Sequence, residues 1–239
     1  MSARFEELDW RSTSLGAISL RRRFEPTLRA DIYEAKLDDE FLMSSAFTAG
    51  EVALADIALA AVPGSNLDVV VGGLGLGYTA RAVLRDPRVR SVHVVEALDE
   101  VIGWHRRGLL PMSGDLTSDP RCVLVHGDFF AIVAVGSSFG PGARDRLDAV
   151  LVDIDHTPRH LLHPGHAGFY EGEGQRRLAA RLTPAGVYGL WSDDPPDGEF
   201  MSGLDGVFAS CEAHVVTFAN PLTGGESANT VYVATMDER

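Results

Sequence analysis

The chain has 239 residues, enough for one domain of ordinary size with or without a small appendage. Hydrophobic residues make up 45% and charged residues 23%, a globular composition that excludes a disordered or collagen-like chain. The 34 acidic residues outnumber the 21 basic ones, and a net charge of −13 disfavours phosphate backbones, so no nucleic-acid partner is expected.

Membrane and export signals are missing from the sequence pattern. The longest mostly apolar run, over 52–62, is much shorter than the roughly 20 residues that span a bilayer. The N-terminal residues mix charges early and show no signal-peptide pattern. Cys122 and Cys211 are too few for a disulfide framework, which favours buried thiols in a reducing compartment. We therefore expect a cytoplasmic protein without a membrane partner.

The beginning of the chain differs in pattern from the rest. Three short strand-like pieces, at 17–23, 31–37 and 40–43, are separated by turn residues. They predict a small antiparallel β element within residues 1–48. Residues 49–239 are then expected to form the main, ligand-binding domain.

That second segment alternates between helices and short strands rich in valine and leucine. Strands are predicted at 67–71, 91–95, 122–126, 149–152 and 187–191, and a closing hairpin at 214–218 and 230–235. Helices are predicted at 50–61, from the glycine turn to about 85, and at 99–109, 129–135 and 172–182. The alternation indicates an α/β fold with a mostly parallel sheet, which binds ligands beyond the carboxyl ends of its strands.

The strongest local signal is a glycine-rich turn after the first of these strands. It begins with Gly72, Gly73, Leu74 and Gly75. Glycines at such a turn let the backbone approach a ligand, and the following helix N-terminus favours polar or anionic groups. The spacing differs from the dinucleotide pattern because Tyr78 stands at the third glycine position. A tight turn without a ligand is the alternative interpretation.

Acidic residues at the next two strand ends suggest the rest of a nucleotide site. Glu96, followed by Ala97, comes about 20 residues after the glycines, where a carboxylate can bind both hydroxyls of a ribose. Asp128 can accept a hydrogen bond from an adenine amino group, and Phe129 offers an apolar wall to the ring. The alternatives are a solvated charge for Glu96 and a helix N-cap for Asp128.

The loop after the fourth strand carries the candidate catalytic residues Asp153, Asp155 and His156. Carboxylates beside an imidazole can orient an amine nucleophile or take its proton, although a plain polar loop is the alternative. Tyr170 and Trp191 are candidates for the substrate pocket or for core packing. The loop also holds histidines at 160, 163 and 166, but prolines and a glycine interrupt their spacing, so no metal is expected.

In chain order these residues resemble the spermidine synthase-like (polyamine aminopropyltransferase) family of Rossmann-like S-adenosylmethionine-dependent transferases. The resemblance runs from about residue 18 to the C-terminus, and the segments that carry it are Asp39-Glu40-Phe41, the glycine turn, Glu96, Gly127-Asp128, the Asp153 loop and residues 182–186. It implies a Rossmann-like class I methyltransferase fold with a mostly parallel seven-stranded sheet, a C-terminal antiparallel hairpin and a small N-terminal β element. It also implies S-adenosylmethionine or its decarboxylated form as cofactor, and a homodimer.

The same resemblance implies roles for individual residues. Gly73 and Gly75 would flank the amino-acid part of the cofactor, and Glu96 would hold its ribose. Asp128 with Phe129 would contact the adenine. Asp153 would face the reacting end.

The chain departs from the family at positions that, by the resemblance, contact the aminopropyl group of the cofactor or the polyamine. Gly75 stands where the family has an Asp, and His156 stands where its fourth-strand loop has a second Asp. The family segment Asp-Glu-x-x-Tyr-His-Glu lacks its Tyr, His and second Glu here.

These departures decide the order of the functional hypotheses. Because a buried dication without carboxylate partners is costly, methyl transfer to a small-molecule nucleophile is favoured. Aminopropyl transfer from decarboxylated S-adenosylmethionine to a polyamine is the alternative. A nucleotide-binding protein without catalysis is the second alternative.

Overall fold

A computed structural model describes residues 5–13 and 16–238, so residues 1–4 of the predicted β element, residues 14–15 and residue 239 lie outside the described part. The N-terminal strands are Phe5–Thr13 (β1), Gly16–Glu25 (β2), Ala30–Leu37 (β3) and Glu40–Ser44 (β4). They form an antiparallel sheet in the order β1-β2-β3-β4. Strand β1 was not predicted from the sequence, because its side chains are mostly charged or polar and exposed.

The main sheet has seven strands: Leu67–Gly72 (β5), Val89–Glu96 (β6), Cys122–His126 (β7), Leu147–Val152 (β8), Leu182–Ser192 (β9), Ser210–Asn220 (β10) and Gly225–Thr235 (β11). Their order is β10-β11-β9-β8-β5-β6-β7. Strands β5 to β9 pair in parallel, and β11 and β10 add an antiparallel edge. This arrangement confirms the predicted α/β fold with a mostly parallel sheet and a closing hairpin.

Eight helices connect the strands within the described residues: Ala49–Ala61 (α1), Tyr78–Arg85 (α2), Asp99–Arg106 (α3), Ser113–Ser118 (α4), Phe129–Val135 (α5), Ala167–Tyr170 (α6), Gly172–Ala179 (α7) and Gly198–Asp205 (α8). A short 3-10 turn, Pro164–His166, precedes α6. In this part of the chain no helix is long and apolar enough to cross a bilayer.

The core lies on both faces of the central strand β5, which is buried along its whole length. Val69 and Val71 pack on one face with apolar residues of α1, α2 and α3. Val70 packs on the other face with apolar residues of α5, α7 and α8. Burial on both faces explains why β5 is a continuous valine run and not an alternating one.

The strand order reverses at β5, which has β6 on one side and β8 on the other. The loops that leave the carboxyl ends of β5 and β8 therefore diverge to opposite sides of the sheet. Such a divergence opens a crevice in parallel α/β sheets, and ligands bind there. The glycine turn after β5 and the loop that follows Val152 meet in this crevice.

The structure corrects the predictions for residues 172–186. Helix α7 ends at Ala179, not at residue 182, and the predicted turn at 182–186 belongs to β9. The register of β9 against β8 shifts after Leu182 and resumes at Val187, the residue at which the strand was predicted to begin. Ala185 has a φ of +58°, so the chain bulges inside a continuous strand.

Two further expectations change in detail. Both cysteines are half-buried, and burial raises the pKa of each thiol to about 12. The small sheet ends at Ser44 and α1 begins at Ala49, on either side of the predicted boundary at residue 48. That the two sheets are separate domains stays a prediction.

Candidate functional site

Two adjoining cavities open at the carboxyl ends of the central strands. The large cavity, about 700 Å³, extends from the glycine turn to α5 and α7. The small cavity, about 380 Å³, lies between the glycine turn, β4 and the ends of β9, β10 and β11. Five residues line both of them: Leu42, Met43, Gly75, Asp153 and Ile154. Any group bound in one cavity therefore lies next to the other cavity at Asp153.

The glycine turn is shaped by two close approaches. Gly73 has a φ of +92°, and a Cβ there would lie 2.0 Å from the carbonyl oxygen of Asp153. Gly75 has a φ of +47°, and its Cβ would lie 3.1 Å from Sδ of Met43. Gly72 ends β5 against the Phe129 ring, and Leu74 is buried. The turn thus needs glycine to pack against the Asp153 loop.

Glu96 ties the glycine turn to the end of β6. Its carboxylate accepts hydrogen bonds from the backbone N–H groups of Leu98 at 2.9 Å, Leu74 at 3.1 Å and Gly75 at 3.5 Å. Burial raises the pKa of Glu96 although these bonds oppose the shift. Glu96 and the adjacent Ala97 both line the large cavity, as does Gly73. The Glu96 carboxylate is therefore fixed by backbone hydrogen bonds, unlike the freely solvated charge of the alternative interpretation.

Asp128 and Phe129 lie at the start of α5, beside the large cavity. Asp128 caps the helix by accepting the Ala131 N–H at 3.0 Å, as the N-cap interpretation predicted, and it remains exposed. Phe129 is only 2% exposed, because its ring packs against Gly72 and Phe139. Phe129 therefore lines the large cavity with little exposed surface, and most of its ring packs in the core.

Asp153 forms an acidic pair with Glu51, which lies in the first turn of α1. The Thr79 hydroxyl donates a 2.6 Å hydrogen bond to Asp153, and it lies 3.4 Å from the Glu51 carbonyl oxygen. Burial raises the pKa of Asp153 to about 6. Burial, together with the negative charge of Asp153, raises the pKa of Glu51 to about 8. The two carboxylates therefore titrate near neutral pH.

Glu51 was not named as a candidate in the sequence analysis. The structure brings this carboxylate to the small cavity from the helix that precedes β5. A glutamate in the first turn of a mostly apolar helix was the available signal.

The rest of the small cavity combines polar and aromatic side chains. His156 lies with its Nε2 3.6 Å from the Glu40 carboxylate, and Asp193 accepts a 2.8 Å hydrogen bond from Asn229. Trp191 lines the same cavity, and its buried indole N–H has no hydrogen-bond partner among the described residues. His156, Trp191 and Asp153 therefore line the same cavity. Their roles in catalysis and substrate binding stay predictions.

Asp155 and Tyr170 are not placed as predicted. Asp155 is 1% exposed, and its carboxylate accepts hydrogen bonds from the Leu162 N–H at 2.7 Å and the Tyr170 hydroxyl at 2.9 Å. His166 Nδ1 bonds the same carboxylate at 2.9 Å. Neither Asp155 nor Tyr170 lines the large or the small cavity. We correct the catalytic role of Asp155 and the substrate-binding role of Tyr170 to anchoring of the loop, because their polar atoms are bonded to each other.

The loop histidines are dispersed. His156 and His160 have ring centroids 4.9 Å apart, whereas His163 and His166 lie 5.7 Å apart on the side of the large cavity. Among residues 5–13 and 16–238, no group of three or more ligating side chains is arranged around a common point for a metal ion. The histidines instead help to shape the two cavities.

Replacement of Glu51 by Gln is expected to stabilise the protein increasingly as the pH rises. Between its ordinary pKa of 4.5 and the folded-state value of about 8, Glu51 is charged only in the unfolded chain, so rising pH favours unfolding. Gln removes this effect. We expect its advantage to grow by on the order of 2 kcal/mol, or roughly 5 °C in Tm, across that window and then to level off.

Thermal unfolding of both proteins from about pH 5 to pH 9 measures this difference. Glu226→Gln, at an exposed position of β11, is the matched control and should show no such trend. A constant difference in Tm across the pH range would contradict the proposed burial of the Glu51 charge.

The chain was compared with family models, with characterised proteins and with solved structures. No family model matches. Polyamine aminopropyltransferase 2 of Pseudomonas aeruginosa is 29% identical over 160 residues, 63% of this chain and 42% of that protein. Putrescine N-methyltransferase 3 of Nicotiana tabacum is 30% identical over 129 residues, 54% of this chain and 30% of that protein. The chain thus spans less than half the length of either relative.

Solved structures show the same fold. Spermidine synthase from Thermotoga maritima superposes with a TM-score of 0.72 at 19% identity, over 98% of this chain and 74% of that chain. Human methyltransferase-like protein 13 in complex with SAH superposes with a TM-score of 0.54 at 20% identity, over 80% of each chain. The sequence and structural matches together confirm the predicted resemblance to spermidine synthase-like proteins of Rossmann-like fold.

Proposed function

We propose that this spermidine synthase-like chain is an S-adenosylmethionine-dependent transferase that moves a methyl group to the amine nitrogen of a small molecule. One observation carries the proposal: the large and small cavities share Asp153 in their linings. A donor in one cavity and an acceptor in the other would then be brought together beside a proton acceptor. Proximity of this kind is a major source of rate enhancement in group transfer.

The residues around the large cavity suit a nucleoside cofactor. Gly73 and Gly75 line the cavity without side chains, Glu96 presents a carboxylate for ribose hydroxyls, and Asp128 stands exposed at the rim for the adenine amino group. Bound S-adenosylmethionine supplies a methyl group on a positively charged sulfur, which leaves as the neutral thioether of S-adenosylhomocysteine. The relatives are transferases by name and the human neighbour holds SAH, which supports this cofactor or its decarboxylated form.

The small cavity suits an amine. Its described lining includes the carboxylates of Glu51, Asp153 and Asp193 and contains no lysine or arginine. These charges favour the ammonium form for binding, but the nitrogen must lose a proton to expose its lone pair. At neutral pH Asp153, with a pKa of about 6, is largely ionised and can accept that proton, whereas Glu51 mostly keeps its own.

Methyl transfer is favoured over aminopropyl transfer by the glycine turn. The decarboxylated cofactor ends in a free ammonium group, which the family binds with an Asp at the position of Gly75. Here Met43 packs over Gly75 and leaves no carboxylate in that place. Aminopropyl transfer remains the second candidate, because Glu51 and Asp193 restore some of the negative charge that the sequence analysis expected to be lost.

Calorimetric titration with S-adenosylmethionine and with its decarboxylated form tests the proposal. We expect tighter binding of the carboxylated form, and release of S-adenosylhomocysteine in the presence of an amine. Release of methylthioadenosine would establish aminopropyl transfer instead. Binding without release of either product across an amine panel would favour the non-catalytic alternative.

The predictions of a homodimer, of a cytoplasmic location and of no nucleic-acid partner remain predictions. Size-exclusion chromatography with light scattering addresses the first of them. A mass of about 51 kDa, twice the 25.7 kDa of the chain, is the result expected for a homodimer.

A further inference from the structure

We infer that the acceptor is a monoamine with an apolar, aromatic body, and not a polyamine with a second cationic nitrogen. This inference rests on the proposed function, since it names the acceptor of the proposed transfer. It is carried by the uneven distribution of charge and aromatic rings around the small cavity. Acidic groups gather at one place, and a cluster of aromatic rings lines another part of the wall.

The acidic end lies where the two cavities meet. Asp153 and Glu51 are close enough for the charge of Asp153 to raise the pKa of Glu51, and Asp193 adds to this shift. Thr79 and Asn229 donate hydrogen bonds to Asp153 and Asp193 and hold them in place. One ammonium group bound here would face Asp153, Asp193 and the carboxyl group of Glu51, which mostly keeps its proton at neutral pH.

The aromatic end is built from separate parts of the chain. Phe47, just before α1, packs against Phe218 of β10 with ring centroids 5.6 Å apart. Phe41 of β4 is 42% exposed. These three rings line the small cavity. Trp191 of β9 also lines it, but it packs against Gly50, the residue before Glu51, and so lies nearer the acidic end. Such a wall favours a planar apolar group, which aromatic rings contact through stacked or edge-to-face packing.

A second carboxylate site for a distal ammonium is missing from the described lining of this cavity. The acidic lining residues are the three that already gather at one end. Glu40 is nearby, but its side chain is 47% exposed and faces His156. A distal cation would therefore lose hydration and gain only cation–π contact with the rings in place of an ion pair. A ring would lose only unfavourable contact with water.

The test compares three probes by calorimetry, with and without saturating S-adenosylhomocysteine: 2-phenylethylamine, putrescine and the uncharged 2-phenylethanol. We expect 2-phenylethylamine to bind at least about tenfold more tightly than either of the others, because only it satisfies both ends of the cavity. Tighter binding of putrescine, or no binding of 2-phenylethylamine, would overturn the inference.

Two variants test whether the aromatic ring of 2-phenylethylamine binds at the aromatic end of the small cavity. Phe218→Ala is expected to weaken 2-phenylethylamine about tenfold and to leave putrescine within about twofold, since the lost ring contacts only an apolar group. Phe24→Ala, on β2 and 45% exposed, lines neither cavity and should change neither affinity. Equal loss of both affinities in Phe218→Ala, with an unchanged Tm, would contradict an aromatic subsite.

Turnover is measured separately, so that the two proposals fail in distinguishable ways. Tight binding of 2-phenylethylamine without release of S-adenosylhomocysteine would overturn the transfer but support the acceptor class. Release of S-adenosylhomocysteine with putrescine and not with 2-phenylethylamine would support the transfer and overturn the acceptor class.

Discussion

Replacement of Asp153 by Asn is expected to lower the rate of transfer roughly 10²- to 10⁴-fold, the range usual for loss of a general base. The amide keeps the size of the side chain and its contact with the Thr79 hydroxyl, but it cannot accept a proton from the amine. Because Asp153 has a pKa of about 6, the wild-type rate should rise with pH through that value as the carboxylate ionises. The variant should lack this rise.

Single-turnover rates with S-adenosylmethionine and a reactive amine, taken between about pH 5 and pH 9, provide the measurement. Asp205→Asn, at the exposed end of α8, removes an equal charge at a position that lines neither cavity and should retain the wild-type rate and pH profile. A variant at position 153 that keeps its rate within about threefold would remove Asp153 from the proton-transfer step.

Replacement of Gly73 by Ala is expected to abolish cofactor binding and to destabilise the fold by about 3 kcal/mol or more. The new methyl group would lie 2.0 Å from the Asp153 carbonyl oxygen, and the φ of +92° at this position is unfavourable for any residue with a Cβ. Since the carbonyl oxygen and the Cα that carries the methyl both belong to the backbone, the turn and the Asp153 loop must separate. Cofactor titration and chemical denaturation measure the two losses.

Gly103→Ala is the control, and it is expected to change the stability of the fold in the opposite direction. Gly103 lies inside α3, and a Cβ added there would have no atom within 4 Å, so alanine should stabilise the helix by up to about 1 kcal/mol. If both variants had the same stability and the same cofactor affinity, the turn would not depend on the close approach of Gly73 to the Asp153 carbonyl oxygen.

Several elements could be predicted to the residue, because local pattern and final environment agree. Strand β7 and helix α5 have the bounds expected from their apolar runs and from the Asp128 cap. Strand β1 could not be predicted in this way. Its nine residues are mostly polar, and it is held by pairing with β2 and by Asp9, which accepts hydrogen bonds from Trp104 and Arg107 of the main domain segment.

The candidate site was only partly predictable. Function was sought in the loops that follow strands, and this reasoning drew attention to Asp153, which lines both cavities. It overlooked Glu51, which precedes β5 in the chain: a helix that leads into a strand runs back along it, so its first turn reaches the strand's carboxyl end. The Thr79 hydroxyl lies close to both the Asp153 carboxylate and the Glu51 carbonyl oxygen, which shows that the first turn of α1 reaches the Asp153 loop.

Asp155 shows the limit of reasoning from residue type. It stands two positions after Asp153 and has the same chemistry, yet Asp155 is 1% exposed and bonded to Tyr170 and His166 instead of lining a cavity. What separates the two aspartates is the path of the loop, which folds back over Asp155 after leaving β8. That path depends on contacts with residues 11 and 15 positions later, which no local pattern encodes.

The two cavities share part of their lining, so a single compound can be designed to reach from one into the other. Met43 and Gly75 line both cavities, and the Met43 thioether is a flexible side chain. Given the proposed donor and acceptor sites, an adenosine unit joined by a short neutral linker to an arylalkylamine is expected to bind across both cavities. Because the two halves would be covalently linked, its affinity should far exceed that of either half alone.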